Sequence, residues 1–319
     1  MTFANGSGVA GNYAQKFSPK VQEAFTREAI TTNAVNHDYD FVGVNAVNIY
    51  SVPTVAMTNY GEGREAGSRP GTNRYGAPND LGTTKQTLTM KVDRAFTFVI
   101  DKKDDMDSMG VLNPGKALER QIKNVVIPEV DQYRFAKIVD EVKRLNGQIV
   151  GGEIDSSNAY TALLDAKIAL MDKKVPMAGC FAYISTNFYK QIRLDKNFIK
   201  AGDISQNMLA KGQVGEVDGI PLILVPESYF PKETTTHNIW GHLDQLNGLL
   251  GSNKKVEFML VNKDAVVAAE KLADYKIHDN PPGINGYLVE GRIYYDCFLL
   301  EGRKDMIYIH LNQPSPEAP

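Results

Sequence analysis

Residues Asn48 to Ile100 constrain this chain most, because they read as a very long β-hairpin, and an isolated two-stranded hairpin is marginal in water. In the second arm Leu88, Met90, Val92, Phe96, Phe98 and Ile100 fall at even positions. Thr87, Thr89, Lys91, Asp93 and Thr97 fall at odd ones. A period of two puts one apolar row on one face of a strand. At about 3.3 Å per residue such an arm would reach roughly 40 Å or more. The first arm, Val47 to Tyr50 and on through Val55 to Thr58, alternates more weakly and holds Pro53. Between the arms, Gly61 to Gly82 contains six glycines, two prolines and three arginines, and almost nothing to bury. A loop of that length is unusual inside a compact domain. The simplest physical solution is a hairpin that leaves its own subunit and packs on a neighbour. That points to an assembly protein before any enzyme.

Composition narrows the field further. The 319 residues suffice for one large domain or two moderate ones, and a hydrophobic content of 43% supports a real core. The formal charge is -3, with a pI near 6.0. Strong electrostatic affinity for nucleic acid over the whole surface is thereby disfavoured. No apolar run reaches the length of a membrane span, and Met1 to Gly11 show no secretory signal. Cys180 and Cys297 read as two reduced, buried thiols of a cytoplasmic protein.

Along the chain, residues 1–17 are small and polar. Ser18, as N-cap, and Pro19 open a helix expected to run to about Thr32. Asn113 and Pro114 open a second, much longer helix. Its stripe of Leu118, Ile122, Val125, Val126, Val130, Tyr133, Ile138, Val142 and Leu145 recurs at three- and four-residue steps, and Asn146-Gly147 is a natural stop. Pro128 sits mid-helix and should bend it rather than end it. A third helix is expected from about Ser157 to Lys173, capped by Ser156 or Ser157, with Leu163, Leu164, Ile168 and Met171 as its stripe. After Pro176 the texture becomes α+β. Strands are expected at 180–184, around 220–225 and at 256–261, with short helices at 187–192 and from Asp264 to about Leu272. Two late strands, 291–299 and 305–310, meet near Glu301-Gly302.

That ordered set resembles the major capsid protein of tailed bacteriophages, whose fold encapsulins share. Asp93-Arg94-Ala95-Phe96-Thr97-Phe98-Val99-Ile100-Asp101-Lys102 looks like the end of the family's extension loop. Asn113 to Leu145, with Ile127-Pro128-Glu129, looks like its spine helix. Val217-Asp218-Gly219-Ile220-Pro221-Leu222-Ile223 looks like a strand pattern of its axial domain. The resemblance covers roughly residues 18–311. It implies an α+β capsid fold with an N-terminal arm and first helix (1–46) and a β-hairpin extension loop (47–95). A peripheral domain (96–176) would carry the spine helix 113–146, followed by an axial domain (177–286). Returning strands and a tail (287–319) complete it.

The implied function is self-assembly, through pentamers and hexamers, into an icosahedral shell around double-stranded DNA that it touches weakly and non-specifically. The implied partners are the chain itself, a portal protein and, given the short arm after Met1, a separate scaffolding protein. The location would be the virion, after assembly in the host cytoplasm. In some members a Lys and an Asn cross-link. Lys85 lies near the loop, but nothing marks a pair. An encapsulin-like compartment shell, which packages proteins, is the alternative within the fold. A cytoplasmic α+β enzyme is the alternative outside it.

An enzyme would need a convergent polar site, and the sequence offers none. Asp105 to Gly110 faintly resembles a calcium loop, but Met109 and Lys116 stand where ligands are required. His37-Asp38-Tyr39-Asp40 has no second histidine cluster to match. Gly61-Glu62-Gly63 is not a dinucleotide fingerprint, and no nucleophile elbow, Walker loop or zincin motif occurs. No catalytic, cofactor or metal residue is therefore assigned. The candidate functional residues are inter-subunit contacts at Glu62, Arg64, Glu65, Arg69 and Arg74, and a spine-helix bend at Pro128. Mixed charges on a loop contribute little singly, but repeated over many copies they can fix register.

Overall fold

The structure, a computed structural model, describes residues 29–36, 46–51, 55, 57, 82–107, 113–195, 213–231 and 254–312. The chain divides into two units, Gly43–Thr89 and a larger one that joins Met1–Val42 to Met90–Pro319. In the smaller unit, β1 (Ala46–Ser51) and β2 (Thr84–Thr89) pair antiparallel from Ala46 opposite Thr89 to Ser51 opposite Thr84.

The expected continuous second arm is broken. Its apolar row is real, but β2 ends at Thr89 and β3 (Val92–Asp101) pairs with β10 (Gly286–Leu299) instead of with the first arm. The break has a local cause. The Lys91 N–H donates to Asp296 Oδ2 at 2.9 Å, and the Tyr294 hydroxyl donates to the Met90 carbonyl at 3.0 Å. These bonds hold Met90 and Lys91 where β10 itself is irregular, at Tyr294/Tyr295. Along β3 the even positions Val92 and Ile100 are buried and the odd positions exposed, as a period of two requires.

After β3 come α1 (Lys102–Asp107), α2 (Pro114–Gln121), a π-turn (Ile122–Val126) and α3 (Ile127–Arg144). Asn113 caps α2 as expected, its Oδ1 accepting from the Gly115 N–H at 3.0 Å. The long helix is therefore present but interrupted. The Ile127 N–H bonds the Ile122 carbonyl, five residues back, one position ahead of Pro128. A proline has no N–H and its ring crowds the carbonyl four residues back. A π-turn absorbs both defects by shifting the bonding pattern.

Six strands form the main sheet, in the order β4-β11-β8-β5-β7-β6. They are β4 (Gln148–Gly152), β5 (Cys180–Ser185), β6 (Gln213–Val217), β7 (Ile220–Val225), β8 (Lys255–Asn262) and β11 (Ile307–Asn312). β4, just after the Asn146-Gly147 helix stop, pairs parallel with β11. β6 and β7 join through Asp218-Gly219, both at positive φ (49° and 84°), the geometry of a tight hairpin turn. α4 (Ala159–Asp172) and α5 (Thr186–Leu194) complete the region. A second sheet runs β3-β10-β9, with β9 spanning Val266–Asp279. The helix expected from Asp264 to Leu272 is thus corrected to a strand. Val266-Val267-Ala268-Ala269-Glu270 carries helix formers, but thirteen residues of pairing with β10 override that weak preference.

Alternation sorts the main sheet into two faces. Tyr183, Ile223, Val225, Met259, Val261, Ile307 and Ile309 join one core cluster, with α3 and the three-stranded sheet. Ala182, Ile184, Leu222, Phe258, Leu260 and Tyr308 join the other, with α4 and α5. α4 buries Ala159, Leu163, Ala166 and Leu170. Of its expected stripe only Leu163 is buried, whereas Ile168 and Met171 are about half exposed (53% and 52%). Its cap also differs. Asn158 is the N-cap but its side chain accepts no helix N–H; its Oδ1 accepts the Asp155 N–H at 2.8 Å, and Asp155 Oδ1 holds the Ser157 and Asn158 N–H groups. The expected first helix lies mostly outside the described residues, and its described end, Ile30–Ala34, is a 3-10 helix.

Candidate functional site

The polar groups of the larger unit are mainly tied to its own elements. Asp131, on α3, accepts from the Ile30 N–H at 3.0 Å and the Thr31 N–H at 3.2 Å, capping the 3-10 helix, while Arg134 donates to the Thr31 hydroxyl at 2.9 Å. Burial raises the pKa of the Asp131 carboxyl above the ordinary carboxylate range, and its donors pull the other way. Residues 29–36 are tied again where the Asn36 N–H meets the Val266 carbonyl at 2.7 Å. Asp296 accepts from the Tyr133 hydroxyl at 2.6 Å, and burial raises both groups. Burial pushes the Cys297 thiol up to about 12, so it stays protonated, and raises Cys180 as well. Neither thiol has the surroundings of a nucleophile. Among the described residues no three His, Cys, Asp or Glu side chains gather as metal ligands. No described helix is long and apolar enough to cross a membrane.

One polar cleft stands out. It has a volume of about 330 Å³ and lies where β5, β7 and β11 end and β8 begins, lined by Ser185, Asn187, Glu227, Lys255, Glu257 and Asn312. Glu257 is only 2% exposed. Its carboxylate accepts from the Ser185 hydroxyl at 2.8 Å and from the Asn187 and Asn312 amides at 3.0 Å each. Ser185 also caps α5, accepting the Phe188 N–H at 3.0 Å. Lys255 pairs with Glu227 at 3.1 Å. The sequence reading missed this group. The available signal was one acidic residue inside the otherwise apolar run Val256 to Val261.

The proposed contact residues Glu62, Arg64, Glu65, Arg69 and Arg74 lie outside the described residues. The same holds for His37 to Asp40 and for part of the Asp105–Gly110 loop. In the hairpin unit, Tyr50 is 64% exposed and Met57 99%. Pro128 lies at the start of α3, directly after the π-turn.

No family model and no curated protein matches the chain. Solved structures do. A chain from the capsid structure of the cyanophage P-SCSP1u aligns over 99% of this chain and 93% of its own, at a TM-score of 0.64 and 14% identity. A chain of Mycobacterium phage Che8 aligns over 88% and 90%, at 0.62 and 15%. A chain from the mature capsid of bacteriophage PhiM1 aligns over 89% and 87%, at 0.60 and 12%. The α+β fold of this chain is therefore the one found in these phage structures, along nearly its whole length.

Proposed function

We propose that this chain is the major capsid protein of a tailed bacteriophage. It is a structural protein that assembles through pentamers and hexamers into an icosahedral shell around double-stranded DNA. One observation carries the reading: the likeness to chains of two phage capsid structures spans 89% and 99% of this chain and most of theirs. Two features of the molecule support it. The hairpin unit exposes Tyr50 and Met57, as an arm that docks on a neighbour would. Among the described residues, the buried carboxylates Asp131 and Asp296 brace elements against one another. The proposed role is structural, not catalytic.

In this reading residues 47–95 form the extension loop, and 96–176 with 287–319 form the peripheral domain. Residues 177–286 form the axial domain that meets its copies at capsomer centres. Glu62, Arg64, Glu65, Arg69 and Arg74 pair across subunits. A scaffolding protein and a portal protein take part in assembly in the host cytoplasm, and the finished protein resides in the virion. Electron microscopy of the recombinant protein, alone and co-expressed with its gene neighbours, tests this. Closed shells, tubes, or five- and six-fold rings are expected. Small monodisperse particles under both conditions would overturn it. Closed particles that fill with a tagged enzyme in the absence of scaffold and portal would move the protein to the compartment shells.

A further inference from the structure

We propose that the cleft around Glu257 is a socket for an arginine side chain of a neighbouring copy of this chain. The inference rests on the shell reading and adds to it a contact that the hairpin does not make.

The cleft is rich in acceptors and poor in donors. Asn187 and Asn312 each commit an Nδ2–H to Glu257 Oε1. That fixes their orientation, because a flipped amide would set its oxygen against the carboxylate. Both amide oxygens therefore remain acceptors, with no donor among the described residues. Glu257 is buried and held by three neutral groups, and no cation pairs with it among the described residues. The α5 N-terminus offsets only about half a charge. Among the described residues that line the cleft, the charged ones are Glu227, Lys255 and Glu257, and Lys255 is paired with Glu227. These described groups sum to one negative charge around an open space of about 330 Å³.

A guanidinium meets these demands better than an ammonium. It is planar, carries five N–H donors and gives up its hydration more readily. It can serve the carboxylate and both amide oxygens at once. The neighbour is a second copy because Ser185, Asn187, Glu227, Lys255 and Glu257 all lie within 177–286, the segment proposed to meet its copies around each capsomer.

The Glu257→Gln variant separates this from a purely internal role. Glutamine keeps the shape, and its amide can donate to the Ser185 hydroxyl, but it removes the charge. An uncompensated buried charge costs stability in the free subunit. Glu257→Gln subunits should therefore melt at the same temperature as wild type or higher. Their yield of closed shells by electron microscopy should fall at least tenfold at equal concentration. Lys255→Gln, which leaves the cleft more acidic, should keep or raise that yield. Wild-type yield from Glu257→Gln overturns the socket, as does a lowered melting temperature, which would mark an internal structural charge. So does stabilisation of wild-type subunits, but not of Glu257→Gln, by calcium or magnesium ions, which would mark a metal site. Failure of the wild type to assemble would sink the shell reading itself, a result distinct from any of these.

Discussion

At the scale of single residues, the stakes lie in buried polar groups whose partners come from distant parts of the chain. Asp131 holds residues 30 and 31 from a hundred positions away. Asp131→Ala would leave two N–H groups and the Thr31 hydroxyl without their acceptor, beside a buried Arg134. Losing one partner of such a group costs about 3 kcal/mol. The subunit should melt several degrees lower, and protease should cut more readily on the N-terminal side of Asn36. Unchanged melting would show that residues 29–36 are held by packing alone. His310 offers a pH test. It stacks on Phe258 at 5.0 Å, ring to ring, and burial lowers its pKa. The fold therefore takes up a proton at His310 less readily than the unfolded chain does. The stability from a neutral His310 is complete above its unfolded value of about 6.5 and is lost as pH falls below it. Asp131, Asp140, Glu270 and Asp296 have raised values and act in the opposite sense. Their contribution is present in acid and fades as pH rises. Comparison with His310→Gln isolates the histidine. The melting temperature of the wild type minus that of the variant should fall between pH 7 and pH 5.5, and a constant difference would exclude the assignment.

At the scale of elements, Pro128 and the π-turn before it set a test of the spine. Pro128→Ala restores an N–H and removes the crowding at the preceding turn. Because the π-turn already accommodates the proline, the gain should be on the order of 1 kcal/mol, well below the roughly 3 kcal/mol of a proline in a regular helix interior. We propose that the bend at Pro128 serves the expansion of the shell, so variant shells should assemble but expand less, as measured by their diameters in electron microscopy. Expansion equal to wild type would remove Pro128 from the mechanism. The same elements show what local pattern can reveal. The long helix, its Asn113 cap, the strands expected at 180–184 and around 220–225 and the last two strands are legible because period and cap chemistry agree. β9 is not, because Ala, Glu and Lys near 268–271 favour helix and only the partner strand β10 decides otherwise. α4 carries two apolar stripes. Sequence alone does not say that Ala159, Leu163, Ala166 and Leu170, rather than Leu164, Ile168 and Met171, face the sheet. The Glu257 cleft was illegible for a like reason, since Ser185, Asn187, Glu227, Glu257 and Asn312 meet only once the six-stranded sheet is ordered.

At the scale of the molecule, the two core clusters are built from residues 29–35 and 92–311. The apolar row from Leu88 to Ile100 had suggested one long arm leaving the subunit. In fact β3 belongs to the larger unit, where it is an edge strand paired with β10, while β1 and β2 belong to the smaller one. The part of the hairpin free to serve a neighbour is thus shorter than its alternation suggests, and it can be removed cleanly. Ser51 lies opposite Thr84 as the last β1–β2 pair. Replacing residues 52–83 by Asn-Gly would close the hairpin with a tight two-residue turn. It would delete Glu62, Arg64, Glu65, Arg69 and Arg74 together and leave both clusters intact. The shortened subunit should melt within a few degrees of the full chain and form no closed shells. Reversing the charges of Arg64 and Arg69 alone should impair closure without unfolding the subunit. A shortened subunit that unfolds would show that residues 52–83 sustain the fold itself. One that still closes into normal shells would show that the hairpin does not bind subunits together, leaving assembly to contacts such as the Glu257 cleft.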